Sequence, residues 1–349
     1  TTGEAPPAPY ARSKVTCEWL AWFIIEKFLK LVPLDRILRV LKLQGILLSM
    51  GTAVRLVDNA SKLLDAVDGE HWRQLKAGGF MASDGTHLSV CVPGVSGTHK
   101  GYLEVYLRGP MVVFQYEPEK GSENLLSKLK GYTGVMQVDA EHRFNGLFGE
   151  GGATEAGCNA HGRRKFEAAA TNQPILAVEG GRFVSAMFAA EAEAKTAGLA
   201  GDRLRAWRQS KVGPLYDELR AWMDSVEPGL LPDDPLAQTI RYYRNHWAAL
   251  RYWVDHSDVP PDNSRAEREF QTVAKARLSW LHAGSSEGAH RAATLLGIVA
   301  TARNEGIDVE KYLCWVFQRR GTAKGRYNLA AAELTPAAYK QAMAKDRGG

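Results

Sequence analysis

The sequence predicts an α/β protein, a mixed-sheet domain flanked and interrupted by helices. Three observations predict it. First, between residues 80 and 139 the runs "FMASDGTHLSVCVPG", "KGYLEVYLRG" and "MVVFQYEPEKG" are β-rich and separated by Gly/Pro turns, which is the pattern of an antiparallel meander. Second, a helical stretch, "SENLLSKLKGY", precedes the short strands "GVMQVD" and "TEAGCNA", and the latter leads into "HGRRKFEAAA". This reads as a β-β-β-α-β-α-β order with a mixed sheet. Third, residues 175–256 carry apolar side chains at three-to-four spacing with charged residues opposite, a purely helical pattern.

Taken in order, residues 1–14 are Pro/Ala-rich and read as a tail or linker. Residues 15–75 read as a helical DNA-binding or assembly region. Within it "VPLDRILRVLKLQGILLSMGTAVRLVDNASKLL" offers a start at Asp35, a break at Gly45 and a second start at Ser49/Thr52. Two helices around a glycine turn form either a helix-turn-helix or a generic αα-hairpin. Residues 76–174 are the first part of the sheet domain, 175–258 a helical insertion, 259–320 its completion with C-terminal helices, and 321–349 a tail.

A length of 349 residues allows one to three domains. Hydrophobic and charged fractions of 45% and 24% are ordinary for a globular chain. A net charge of +5 permits a polyanionic partner without demanding one. Cys17, Cys91, Cys158 and Cys314 are scattered, as reduced thiols are. The run "WLAWFII" is too short to cross a bilayer, so a cytoplasmic protein without a membrane partner is expected. The chain begins at Thr1 rather than methionine, and a further upstream segment is expected.

Carboxylates at strand ends and helix starts are the candidates for chemistry. Asp84 leads an apolar strand face shared with Leu88 and Val90, and Asp139 closes "GVMQVD"; each also reads as a turn or capping aspartate. In "VPPDNSRAEREF" a helical wheel places Ala266, Phe270, Val273 and Ala274 on the core stripe. Glu267 falls at its border, whereas Glu269 points nearly opposite and should be solvated. Glu267 has a second reading, because Ser264-x-x-Glu267 matches a capping box. Converging carboxylates would make an oxygen-rich site suited to Mg²⁺ or Mn²⁺.

The block after "TEAGCNA" carries His161, Arg163, Arg164 and Lys165. These side chains suit phosphate contacts, with His161 bonding either a phosphate or a water; a solvated helix face is the alternative. Among the basic residues after Glu267, Lys275 lies closest to its side of the wheel. Cys158-x-x-His161 has half the spacing of a zinc site, but no second ligand pair follows. Trp280 and the aromatics of "YYRNHWAALRYW" read as core.

Three stretches, "GCNAHGRRKF", "DNSRAERE…AKARLSWLHAGSSEGAHRAATLLGIVATARNEGIDVEKYL" and "VPLDRILRVLKLQGILLSMGT", together resemble the transposases of the insertion sequence 66 family. That is a DDE class with a ribonuclease-H-like catalytic core. The resemblance implies a ribonuclease-H-like α/β fold in which Asp84, Asp139 and Glu267 are the catalytic acids and hold two Mg²⁺ ions, with Mn²⁺ able to substitute. It implies a DNA transposase that cuts element ends and joins their 3′-hydroxyls to target DNA. Its partners would be double-stranded DNA, further copies of itself and accessory transposition proteins, in the bacterial nucleoid. Two departures stand out: Gly85 follows the first aspartate where the family carries an acid, and Glu141 and His142 follow the second where aromatics are usual, although Phe144 and Asn145 restore the pattern. They keep two alternatives open, an inactive DNA-binding relic and a metal-dependent nuclease without strand transfer.

Overall fold

The Thr16 hydroxyl accepts the Trp19 amide and starts the first helix, α1 (Cys17–Phe28). The computed structural model describes residues 6–92, 94, 96–280, 282–321 and 329–346. Helix α2 (Leu34–Leu43) is preceded by Pro33, and Asp35 sits inside its first turn, paired with Arg39 one turn on. Gly45, at φ +80°, breaks the helix, since only glycine adopts that geometry without cost. The Ser49 hydroxyl then accepts the Thr52 amide and opens α3 (Met50–Lys76). The connection 44–49 is longer than the roughly three- or four-residue turn of a helix-turn-helix.

Strands β1 (Phe80–Val90), β2 (His99–Arg108) and β3 (Met111–Glu117) follow, then α4 (Ser122–Leu129), β4 (Val135–Val138), β5 (Thr154–Gly157) and α5 (Asn159–Ala169). They build a five-stranded mixed sheet in the order β3-β2-β1-β4-β5. β2 and β3 pair antiparallel across the Gly109–Pro110 turn, whereas β1–β4 and β4–β5 are parallel. One expectation fails here: no α-helix separates β4 from β5. A six-residue 3₁₀ helix, His142–Leu147, takes that place. The segment holds Gly146, Gly149, Gly151 and Gly152, with Gly149 and Gly151 at positive φ, so a regular helix cannot run through it.

The helical stretch is α6 (Pro174–Thr196), α7 (Gly201–Lys211), α8 (Gly213–Val226), α9 (Pro235–Asn245) and α10 (Trp247–Arg251). The chain ends through α11 (Ser264–Trp280), α12 (Ser286–Asn304), α13 (Val309–Arg320) and α14 (Pro336–Asp346). No helix among the described residues is long and apolar enough to cross a membrane.

The chain divides into two compact units. One comprises Gly79–Asp84 and Gly121–Glu267. Its core gathers Phe166, Val184, Met187, Tyr216, Leu219, Met223, Ile240, Tyr243 and Trp253, as the helical spacing of the aromatics predicts. Each large side chain so buried contributes about 1.5–3 kcal/mol. The Tyr216 hydroxyl accepts the Trp253 indole N–H at 3.1 Å and lies 2.6 Å from the Leu250 carbonyl, so its polar end is satisfied.

The other unit comprises Thr1–Gly78, Gly85–Lys120 and Arg268–Gly349. Here α12 lies on β3 closely enough that a Cβ at Gly297 would stand 3.2 Å from the Val112 carbonyl oxygen. The Thr301 hydroxyl accepts the Val112 amide at 3.0 Å. Glu269 corrects the helical wheel: it is buried, not solvated, 2.6 Å from Arg303 and 2.9 Å from Asn304. The wheel tracks a single helix and cannot register partners brought by another. Trp280 donates its indole N–H to the Leu31 carbonyl.

Lys27 lies largely buried in this unit, its ammonium 3.9 Å from the Trp280 ring centre, and burial pushes its pKa down to about 8. Between about pH 8 and the ordinary lysine value the unfolded chain keeps a proton that the folded chain has shed. The unfolded state then binds more protons, so stability should rise with pH across that window. Lys27→Met should remove the rise and add about 1–3 kcal/mol at pH 7, less what the indole contact returns. Urea midpoints measured from pH 7 to 10.5 check both effects.

Candidate active site

Parallel pairing aligns Ala82 of β1 with Gln137 of β4. Two residues further along stand Asp84, in the middle of β1, and Asp139, just past the end of β4, so the parallel register carries both acids to the same level. Asp139 is the first residue past β4, and Ala140 turns the chain at φ +63°. That left-handed conformation costs a non-glycine residue about 1–2 kcal/mol. The next turn is held by Arg143, which makes two bonds to Glu141, and by the buried Phe144. The departures at Glu141 and His142 thus occupy an ordered turn.

β5 pairs beside β4, with Val138 opposite Gly157, and passes through Cys158 directly into α5. One turn into that helix His161 faces the acids. Its Nε2 is 3.6 Å from Asp139 Oδ2 and 3.9 Å from Glu267 Oε1. Arg164, one turn later, stands 2.5 Å from Glu267 Oε1 and 2.7 Å from His161 Nε2. Asp84 acts on Arg164 through its charge. Asp84, Asp139, Glu267, His161 and Arg164 therefore gather in a single unit from β1, β4, α11 and α5.

The position of Glu267 is set by the segment before it. The Asn263 side chain donates to the Ser83 carbonyl at 3.1 Å, and its backbone amide faces the Cys158 sulfur at 3.5 Å. Gln137 donates to the Pro260 carbonyl at 2.8 Å, and Asn159 donates to the Pro261 carbonyl from both backbone and side chain. Gln137, Asn159 and Asn263 are each no more than 1% exposed. These buried amides tie residues 260–263 to the chain beside both aspartates. Sequence reasoning missed all three; the available signal was a lone glutamine inside the apolar strand "GVMQVD".

The capping-box reading of Ser264 is not what forms. Ser264 is the first helical residue, Asp262 accepts its amide, and the Asn263 carbonyl receives the amides of Ala266 and Glu267. The Glu267 carboxylate turns instead to Arg164. Burial, the largest influence, and Arg164 hold the His161 imidazole below its ordinary pKa against the pull of Asp139 and Glu267. The formal positive charge touching Glu267 is therefore the guanidinium. Its own pKa is raised, first by the bond to Glu267.

The remaining basic residues differ in setting. Arg163 lies over the Phe188 ring and 3.4 Å from Glu167, and Lys165 is exposed with its ammonium over Tyr242. Lys275 belongs to the other unit, where it is exposed on α11. Burial pushes the Cys158 thiol up to about 11, which makes it a poor nucleophile and a poor metal ligand near neutral pH. Gly85 has a local reason: a Cβ there would fall within 2.3–2.6 Å of the Tyr102 ring and hydroxyl, so the tyrosine fills the space of a side chain.

As placed, no three His, Cys, Asp or Glu side chains among the described residues have spacing that would hold a metal ion. The donor chemistry nevertheless fits a hard divalent cation, being carboxylate-rich. Buried polar atoms without partners precede each acid in the chain, Ser83 Oγ, Gln137 Oε1 and Asn263 Oδ1, and a fourth, Nδ1, is on the His161 ring beside them. Such atoms mark places where a water or ion is expected.

Comparison with known proteins follows the same segments. The chain is 27% identical over 344 residues to uncharacterized protein y4hP of Sinorhizobium fredii (strain NBRC 101917 / NGR234), covering 90% of this chain and 61% of that protein. It is 24% identical over 324 residues to uncharacterized protein y4qI of the same organism, covering 86% and 58%. The chain thus spans about three-fifths of the length of these relatives. The family model described as "Transposase IS66 family" matches residues 12–291, which takes in all three acids, the α5 basic block and Lys275. The chain belongs to the IS66 family of transposases.

Proposed function

We propose that this chain carries the catalytic core of a DNA transposase, with Asp84, Asp139 and Glu267 as its acids. The observation that carries the reading is the meeting of Asp139 and Glu267 at one imidazole, within 3.6 and 3.9 Å, from segments more than a hundred residues apart in sequence. The strand order β3-β2-β1-β4-β5, with one acid inside β1 and the other just past the end of its parallel neighbour β4, supports a ribonuclease-H-like core. Asp84, Asp139 and Glu267 would hold divalent cations, Mg²⁺ or Mn²⁺. When bound there, such ions supply Lewis acidity and charge neutralisation at a phosphodiester.

The reaction has two balanced steps. Water displaces one strand at an element end, leaving a 3′-hydroxyl and a 5′-phosphate. That hydroxyl then displaces a target phosphodiester, joining element to target and freeing a target 3′-hydroxyl. Within the chain, Arg163, Arg164 and Lys165 present donors to phosphates from the exposed side of α5, and Lys275 does so from α11. The Asn263, Gln137 and Asn159 bonds keep Glu267 in register with the aspartates. Double-stranded DNA, a multimer and accessory proteins are the partners of this reading.

A second reading has its own support. Tyr102 fills the place of an acid after Asp84, and Arg164 already neutralises Glu267; both suit a chain that binds DNA without cutting it. Labelled element-end DNA, incubated with the protein and Mg²⁺ or Mn²⁺, separates the readings. The transposase gives cleaved ends and joined products. Retention of DNA without cleavage identifies the silent binder, and cleavage without joining identifies a nuclease.

A further inference from the structure

Arg164 is a poor structural residue in a central place. Its side chain is 48% exposed, and its bonds among the described residues go to Glu267 and His161. Yet its Nη2 spans Glu267 and His161, residues of α11 and α5, and the charge of Asp84 also acts on it. The guanidinium is permanently charged and bonds Glu267 directly, at 2.5 Å. An exposed guanidinium on a half-buried carboxylate is held weakly enough to exchange.

We infer that Arg164 is the resident counter-cation of the acid cluster: guanidinium and divalent cation compete for Glu267, and Arg164 sets how much divalent cation is needed to load the site. The inference rests on the reading of Asp84, Asp139 and Glu267 as the cation-holding acids. It explains why those acids converge and yet lack the spacing of a metal site: one of them is turned toward an arginine. It also assigns the same side chain two destinations, Glu267 before loading and a DNA phosphate afterwards, both suited to its paired donors.

The test is calorimetric titration of Mn²⁺ into the full chain without DNA, for the wild type, Arg164→Gln, Arg164→Lys and Glu267→Gln. Circular dichroism confirms that each variant is folded. Arg164→Gln should bind Mn²⁺ about fivefold more tightly, the equivalent of removing one half-exposed ion pair. Arg164→Lys, which keeps the charge, should stay near the wild type, and Glu267→Gln should bind most weakly. Equal affinity in the wild type and Arg164→Gln, with binding lost in Glu267→Gln, overturns the competition and leaves the acid cluster standing. Arg164→Lys matching Arg164→Gln also overturns it, because charge would then not be the cause. No Mn²⁺ binding in any form, or undiminished binding in Glu267→Gln, overturns the acid-cluster reading along with it.

Discussion

Asp84→Asn, Asp139→Asn and Glu267→Gln, made singly, should each lower element-end cleavage by about a thousandfold or more, while leaving the fold intact. The size of the effect follows from what each change removes. An amide keeps the shape of a carboxylate but loses its charge and one acceptor, so on the proposed reading, in which three carboxylates would hold cations, each change removes a ligand outright. The stability cost should be small, because Asp139 and Glu267 are about one-third exposed and neither anchors a core. Glu267→Gln separates the roles most clearly: it retains a hydrogen-bond acceptor for Arg164 and loses only the charge. Rates measured at fixed Mg²⁺ beside thermal midpoints decide the matter. Any one variant retaining cleavage within about tenfold of the wild type removes that residue from the catalytic set.

Arg208→Met should be the most destabilising single change in the chain's helical segment, costing about 3–5 kcal/mol. Arg208 is 2% exposed and lies in α7. Its Nε and Nη2 make two bonds to Glu191, at 2.9 and 2.7 Å. Its Nη1 donates to the carbonyls of Trp253, His256 and Val259, at 2.8, 2.9 and 3.0 Å. Methionine fills the volume but leaves three carbonyls and a carboxylate without donors. Arg208→Lys should recover little, since a point ammonium cannot span the same fork. A drop in thermal midpoint of about 10 °C is the expected readout; a loss under about 1 kcal/mol would show that this buried fork is replaceable. Those carbonyls lead into residues 260–263, so the loss should reach cleavage as well.

What was legible in the sequence was what each segment decides alone. The alternating runs of 80–117 became β1 to β3, and Gly45 and Ser49 ended and began helices where their chemistry requires. Of the aromatics of 242–253, Tyr243 and Trp253 went to the core, while Tyr242, Trp247 and Tyr252 pack partly buried against it. Two of the misreadings involve a distant partner or a one-residue shift. Glu269 looked solvated because Arg303 and Asn304 lie on another helix. Ser264 fell one residue inside α11, so the box it would have formed could not close. A helix expected between β4 and β5 met four glycines. Of the site, the acids and the α5 basic block came through resemblance and helical geometry. The buried amides of Gln137, Asn159 and Asn263 left almost no local trace, because each bonds a carbonyl at least 91 and up to 180 residues away.

Those long spans bear on how the protein is made. Ser83 leaves the ribosome 180 residues before the Asn263 side chain that will bond it, and β1 waits for β4 with an open edge. At about 5–20 residues per second the first wait lasts roughly ten to forty seconds, and the wait of β1 for β4 roughly three to ten. Until β4 pairs with it, the unpaired edge of β1 is a target for chaperones or aggregation. Glu267 emerges last of the three candidate acids, so a prematurely terminated chain ending before it carries an incomplete set. If the acids cut DNA, translation itself keeps fragments harmless: the chain acquires its blade only after most of its own scaffold is in place.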